Sequence, residues 1–142
     1  MKYRFIENLT SDVMFEAYGK TFEVLLENSA MAMFSVICNI KNIKPLQEIN
    51  IELSADSEEE LLHRWLSKLL THSEINNMFL CKFKVGIKEN REKNKYIQLF
   101  ATIQGEPISP KKSGTVVKGI PYYGFKLEHT AKGYIAKVVL DI

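Results

Sequence analysis

Two stretches of the chain repeat their apolar residues at helical spacing, and most of the remainder alternates. After Gly19-Lys20, the residues Phe22, Leu25, Leu26, Met33, Phe34 and Ile37 recur at that spacing, so one face of a helix is expected in the core. Thr21 is placed to cap the first turn, and Glu23 lies within it. A second helix opens at Ser57-Glu58-Glu59-Glu60, where Ser57 can accept from the Glu60 amide while the Glu60 side chain reaches back. Its apolar stripe is Leu61, Leu62, Trp65, Leu66, Leu69 and Leu70. The acidic run is therefore architectural, and Trp65, with its large apolar area, is expected to pack. Met31 and Met33 read as gap-fillers in the core.

Strand signals fill the rest. Ile49, Ile51 and Leu53 alternate ahead of the second helix; residues 79–87 alternate after it, and residues 96–103 return across a polar turn at 89–94 as an antiparallel hairpin. Residues 13–18 read as an early strand, followed late in the chain by 115–118, 125–128 and 134–140, with Lys132-Gly133 turning the last hairpin. Gly105 to Gly114 reads as the one long loop, a place where function commonly sits. These elements predict an α+β fold: a single two-layer sandwich with both amphipathic helices on one face of a largely antiparallel sheet. The 142 residues form one domain, 1–142, without linker or internal repeat. A chain of this length buries roughly 70% of the surface it exposes when unfolded.

Composition narrows the classes. With 46% hydrophobic and 25% charged residues, the chain is ordinary for a globular protein, which excludes a disordered one. The longest apolar run, Ala30 to Ile37, is short and interrupted by Ser35, so no membrane span is expected. Met1 to Asn8 contains neither an apolar signal region nor a cleavage site, and the expected address is the cytoplasm. Cys38 and Cys81 sit in apolar patterns without metal-ligand spacing and read as buried thiols. The net charge of +2 conceals an asymmetry: residues 1–81 carry 7 basic and 12 acidic side chains, residues 82–142 carry 12 and 5. Such a bias guides a protein toward a phosphate backbone or an acidic protein surface without choosing between them. Much of the excess, Lys82, Lys84 and Lys88, alternates with apolar residues and reads as the solvated face of one strand.

Candidate chemistry is sparse. His63, His72 and His129 share no motif spacing, and the chain has no phosphate loop, nucleotide-binding glycine fingerprint, nucleophile elbow or cysteine–histidine pairing. An independent ATPase or acyl-transfer enzyme is disfavoured. Asp12 and Asp141 are the best chemical pair available: a strand ending on Asp141, directly before Ile142 and its carboxylate, gathers oxygen ligands of the kind calcium and magnesium require. Taken alone, Asp12 reads as a turn or cap residue.

The order Thr10-Ser11-Asp12-Val13, Glu16-Ala17-Tyr18-Gly19, Lys118 to Tyr123 and closing Asp141-Ile142 resembles the archease family over essentially the whole chain. Archeases are small proteins that assist the RtcB-type RNA ligase. The resemblance implies an accessory role in tRNA splicing and RNA repair: the protein promotes loading of guanylate onto the ligase and multiple turnover, while the GTP and manganese chemistry belongs to the ligase. It further implies that Asp12 and Asp141 bind a divalent metal with the Ile142 terminus beside them, calcium being favoured for its tolerance of irregular all-oxygen coordination. Lys118, Tyr122 and Tyr123 would share that functional face, with Glu106 a further candidate from the Gly105-Glu106-Pro107 stretch. The chain departs from the family at two points. Archeases usually carry His-Thr-Ala-Asp where this one has Leu9-Thr10-Ser11-Asp12, and commonly Tyr-His where it has Tyr122-Tyr123. RNA is expected as a weak or indirect partner, and no membrane is. Two other classes stay open on the residues alone. One is a metal-dependent hydrolase built on Asp12 and Asp141, for which no base or nucleophile is identified. The other is a small RNA-binding module using the basic C-terminal part, with Tyr122 and Tyr123 stacking on bases.

Overall fold

The computed structural model describes residues 1–6, 12–90 and 95–142. These residues form helices α1 (Phe22–Ile37) and α2 (Glu58–Asn76). The strands are β1 (Tyr3–Ile6), β2 (Asp12–Gly19), β3 (Gln47–Ala55), β4 (Met78–Asn90), β5 (Tyr96–Pro107), β6 (Lys126–Thr130) and β7 (Gly133–Asp141). Both helices start where local chemistry places them. The Thr21 hydroxyl accepts from the Val24 amide at 3.2 Å, and the Ser57 hydroxyl accepts from the Glu60 amide at 3.2 Å. The Glu60 side chain points elsewhere than the reciprocal cap would have it, meeting Arg64 at 3.3 Å and the Tyr122 hydroxyl at 3.5 Å. Its neighbours also reach outward: Glu58 accepts from the Tyr134 hydroxyl at 2.9 Å and Glu59 from the Leu127 amide at 2.9 Å. The acidic run thus fastens α2 to three places in the C-terminal part. Burial, with Glu58 adding to it, pushes the Tyr134 phenol up to about 12.

The α+β class holds, but the strands form two antiparallel sheets, ordered β1-β2-β7-β6 and β3-β5-β4, where one was expected. The reason lies in α1. Its buried residues include Ser29, Ala30 and Ala32 beside Leu25, Leu26, Met33 and Phe34, so burial extends well beyond a single stripe. A helix apolar on most sides has to be enclosed. It packs on β2 and β7 of the first sheet and on β4 of the second, while α2 packs on α1 and on the inner face of the second sheet. Trp65 is fully buried at this junction, its indole N–H donating to the Leu26 carbonyl at 2.9 Å and its ring edge-on to Phe83 at 6.4 Å.

Three details bear on the site. First, β4 and β5 continue pairing through a bulge between Leu80 and Lys82 as far as Met78 opposite Pro107. Glu106 therefore lies inside a strand and not in the long loop. The close crossing requires Gly105, where an added Cβ would fall 1.9 Å from the Phe79 carbonyl oxygen. Second, residues 115–118 do not pair as a strand. The Gly114 and Thr115 amides bond the Ile37 and Val36 carbonyls, each at 2.8 Å, and the chain then makes a single bridge, Gly119 to Asp141. Third, the Glu27 carboxylate on α1 accepts from the Val85 amide of β4 at 2.9 Å.

Lys82, Lys84 and Lys88 are exposed on the outward side of β4, as alternation requires. Cys38 and Cys81 are both free, the first buried and the second half-buried, and burial pushes the Cys38 thiol up to about 12. Of the turn expected at 89–94, Glu89 and Asn90 belong to β4, and 91–94 lie outside the described residues. No described helix is long and apolar enough to cross a membrane.

Candidate functional site

β2 and β7 run antiparallel in a register that sets Asp12 directly opposite Asp141, followed by Val13 opposite Leu140, Phe15 opposite Val138 and Ala17 opposite Ala136. Phe15, Ala17, Ala136, Val138 and Leu140 belong to the buried core. By alternation the other set, Asp12 with Asp141, Met14 with Val139 and Glu16 with Lys137, occupies the opposite face. Cross-strand partners hold their Cβ atoms about 4.5–5.5 Å apart, so the two aspartates are close neighbours. Residues 9–11, which precede Asp12 in the family-like motif, lie outside the described residues.

The three acidic residues on this face are treated differently. Glu16 is enclosed by partners: Arg4 Nη2 lies 2.7 Å from its Oε1, Arg4 Nε donates at 2.8 Å, the Tyr18 hydroxyl donates at 3.1 Å, and Lys137 stands at 4.0 Å. The Arg4 guanidinium holds the Glu16 carboxyl below its ordinary value. Asp12 and Asp141, facing one another, have no ion-pair partner among the described residues. Like charges placed directly opposite in a sheet repel.

A third segment closes on Asp141. The Lys118 amide donates to the Asp141 carbonyl at 2.7 Å, and the Asp141 amide donates to the Gly119 carbonyl at 3.0 Å. Val117 and Ile120 are buried, which anchors the segment, and Lys118 between them is exposed. Beyond it the chain is pinned to α2 by His63, whose Nε2 lies 2.7 Å from the Ile120 carbonyl. A carbonyl only accepts, so Nε2 carries the proton. The Tyr122 ring stacks on the same imidazole at 3.9 Å, and Phe125 meets it edge-on at 5.1 Å. Gly124, at φ +69°, makes the turn between these two aromatics. Tyr122 and Tyr123 remain 62% and 76% exposed and so are available to a partner. The sequence assigned no task to His63. Its partners lie some 57 residues further along the chain, and no local pattern could have announced them.

Glu106 belongs to the other sheet. It is buried opposite Phe79, paired with Lys112 and bonded by the Lys44 backbone. The Lys112 ammonium holds its carboxyl below the ordinary range. Glu106 ties the short turn Pro110–Lys112 to the end of β5, and none of its bonds reaches Asp12 or Asp141.

Among the described residues no three His, Cys, Asp or Glu side chains come together as a metal-binding group. A cation between Asp12 and Asp141 would therefore complete its shell from main-chain oxygens, those of Ile142 included, and water. This all-oxygen, anionic set fits calcium or magnesium and not a softer transition metal. The histidines take no part: His129 stacks on Tyr134 at 3.9 Å and His72 lies within 3.4 Å of Asn76.

The chain matches the Archease protein family over residues 3–142. It is 37% identical to protein archease of Methanosarcina mazei, the comparison covering 99% of this chain and 96% of that one. It is 32% identical to protein archease of Archaeoglobus fulgidus, with all of both chains covered. The solution structure of Methanobacterium thermoautotrophicum protein 1598 superposes with a TM-score of 0.82 at 26% identity, covering 99% of each chain. A Thermotoga maritima protein, described as an archease and "possible chaperone", shares the fold with a TM-score of 0.65 at 22% identity, covering 98% of this chain and 97% of that one. The chain belongs to the archease family.

Proposed function

We propose that this archease is an accessory protein of an RtcB-type RNA ligase, promoting ligase guanylylation and multiple turnover in tRNA splicing and RNA repair. The observation that carries the reading is the facing pair Asp12 and Asp141, without ion-pair partners among the described residues and bordered by the Lys118 segment. Asp12, Asp141 and main-chain oxygens at Ile142 would hold a divalent cation, calcium by preference, which would relieve the repulsion of the two carboxylates. Lys118, Tyr122 and Tyr123 form the rest of the contact face, positioned by His63. The protein acts by contact, in keeping with the "possible chaperone" description of the Thermotoga relative.

The test is a ligation assay with the cognate ligase. Sub-stoichiometric protein is expected to raise turnover and the rate of guanylate loading, and Asp12→Asn with Asp141→Asn to abolish the effect. Unchanged ligase kinetics, or full activation by the double variant, would overturn the proposal. Nucleotide or RNA cleavage that follows the purified protein through every separation step would favour a hydrolase instead.

A further inference from the structure

The helices cover one face of the β3-β5-β4 sheet and leave the other uncovered. On the central strand β5, Leu99, Ala101 and Ile103 are buried, while Phe100 is 42% exposed. Phe100 is flanked in register by Glu52 on β3 and Gly86 on β4. With no side chain at Gly86, that flank of the ring is bare; even an added Cβ there would meet only the Phe100 carbonyl oxygen, at 3.8 Å. A depression of about 570 Å³ includes Asn50, Glu52, Lys84, Gly86, Phe100 and Thr102 in its lining. A second, of about 660 Å³, includes Glu48, Lys82, Lys84, Thr102 and Gln104 and reaches Met31 on α1. They share Lys84 and Thr102, so together they form one trough across the sheet.

Charge across this face is ordered. Lys82, Lys84 and Lys88 stand in a row on β4, exposed and without an ion-pair partner among the described residues. Glu48 and Glu52 stand exposed on β3. Between them, the Thr102 hydroxyl donates to the Asn50 side chain at 3.1 Å beside Phe100, placing hydroxyl and amide groups in the trough.

We propose that this face binds single-stranded RNA, with phosphates along the β4 lysines and a base stacked on Phe100. An exposed ring beside a track of cations is what sequence-tolerant binding of a single strand requires, because every base has a π-face and every phosphate a charge. Glu48 and Glu52 form the β3 wall of the same trough, and their repulsion keeps a phosphate backbone to the β4 side. Asn50 and Thr102 are placed to meet base edges or the 2′-hydroxyl, the group that separates RNA from DNA. The choice of RNA rests on the ligase reading. The binding test uses the protein alone, so failure here and failure of ligase activation are separate results.

Fluorescence anisotropy with a labelled single-stranded oligoribonucleotide tests it, alongside the same sequence as duplex and as DNA. Phe100→Ala is expected to weaken binding about 5- to 150-fold. Phe100→Trp should retain binding, and Ile75→Ser, an exposed change on α2, should be neutral. Circular dichroism confirms that each variant is folded. Lys82→Gln with Lys84→Gln should reduce the slope of log affinity against log salt by roughly 1.4, about 0.7 for each phosphate no longer neutralised. Equal binding of the duplex, or Phe100→Ala within twofold of wild type, overturns the stacking surface. DNA bound as tightly as RNA overturns the assignment to RNA. Binding that depends on the lysines but not on Phe100 is attraction to phosphate alone and likewise overturns the proposal.

Discussion

If His63 is what holds the Lys118 to Phe125 segment on α2, removing its ring should loosen that segment and leave the core intact. His63→Ala deletes a 2.7 Å hydrogen bond to the Ile120 carbonyl and a 3.9 Å stack on Tyr122. The bond contributes about 1 kcal/mol and the stack about 0.5–1.5 kcal/mol, together roughly 1.5–2.5 kcal/mol. Charged against local closure of the segment, that corresponds to about 10- to 70-fold faster amide exchange. The reporting amides are Lys118 to the Asp141 carbonyl at 2.7 Å, Asp141 to Gly119 at 3.0 Å, and Phe125 to Tyr122 at 3.1 Å. Native-state hydrogen exchange resolved by residue reads them directly. Amides of β5, such as that of Ile103, serve as the core reference, since Ile103 is fully buried. His63→Gln retains a donor at similar reach without the ring, and should recover about 1 kcal/mol of the loss. The reasoning fails if the three amides stay within twofold of wild type, or if Ile103 accelerates as much as they do.

Two further outcomes are expected. Asp12→Asn or Asp141→Asn should stabilise the metal-free protein by about 0.2–1 kcal/mol, because a cross-strand repulsion is removed. Wild type at a calcium concentration 100 times its Kd should gain about 2.7 kcal/mol, which the variants lose. Thermal unfolding with calcium and with chelator measures both, and identical shifts in wild type and variants would exclude the site. Glu16, bonded by Arg4, titrates below its ordinary value of 4.5 in the folded protein. Its stabilising contribution is complete above that ordinary value and is lost as pH falls through the lower, folded-state one. Unfolding midpoints measured from pH 6 downward should therefore decline more steeply for wild type than for Glu16→Gln; parallel declines would count against the Arg4 network.

What could be read from the residues was local. Thr21 and Ser57 announce their helices because a cap needs only the next three residues, and the β6–β7 hairpin announces itself through its short turn at Lys132-Gly133. The division into two sheets was not legible, since it depends on how α1 is enclosed. Ala30 and Ala32, buried beyond its large apolar stripe, are ambiguous in a sequence. β1, four residues long, is too short for its alternation to register. Glu106 read as a loop residue because the pairing of Phe79 with it passes through a bulge that no local pattern announces. The Asp12–Asp141 juxtaposition joins opposite ends of the chain. Alternation marked strands at 13–18 and 134–140, next to the two aspartates, but the resemblance to a family, and not either residue's surroundings, brought them together. Phe100 escapes notice for another reason: alternation assigns it to the outer face, and only the structure shows that nothing covers it.

The bond from Glu27 to the Val85 amide also governs how the molecule meets others. β4 is where the three-stranded sheet stops, and a bare margin of backbone donors is a template onto which a neighbouring polypeptide can zip. Here a helix lays a carboxylate across that margin, so an arriving strand would have to evict an anion from a bond already made. Lateral growth is discouraged at this one of the sheet's two edges, and the broad face turned away from the helices stays open. Such a molecule can present a sheet to a polymer without becoming part of one.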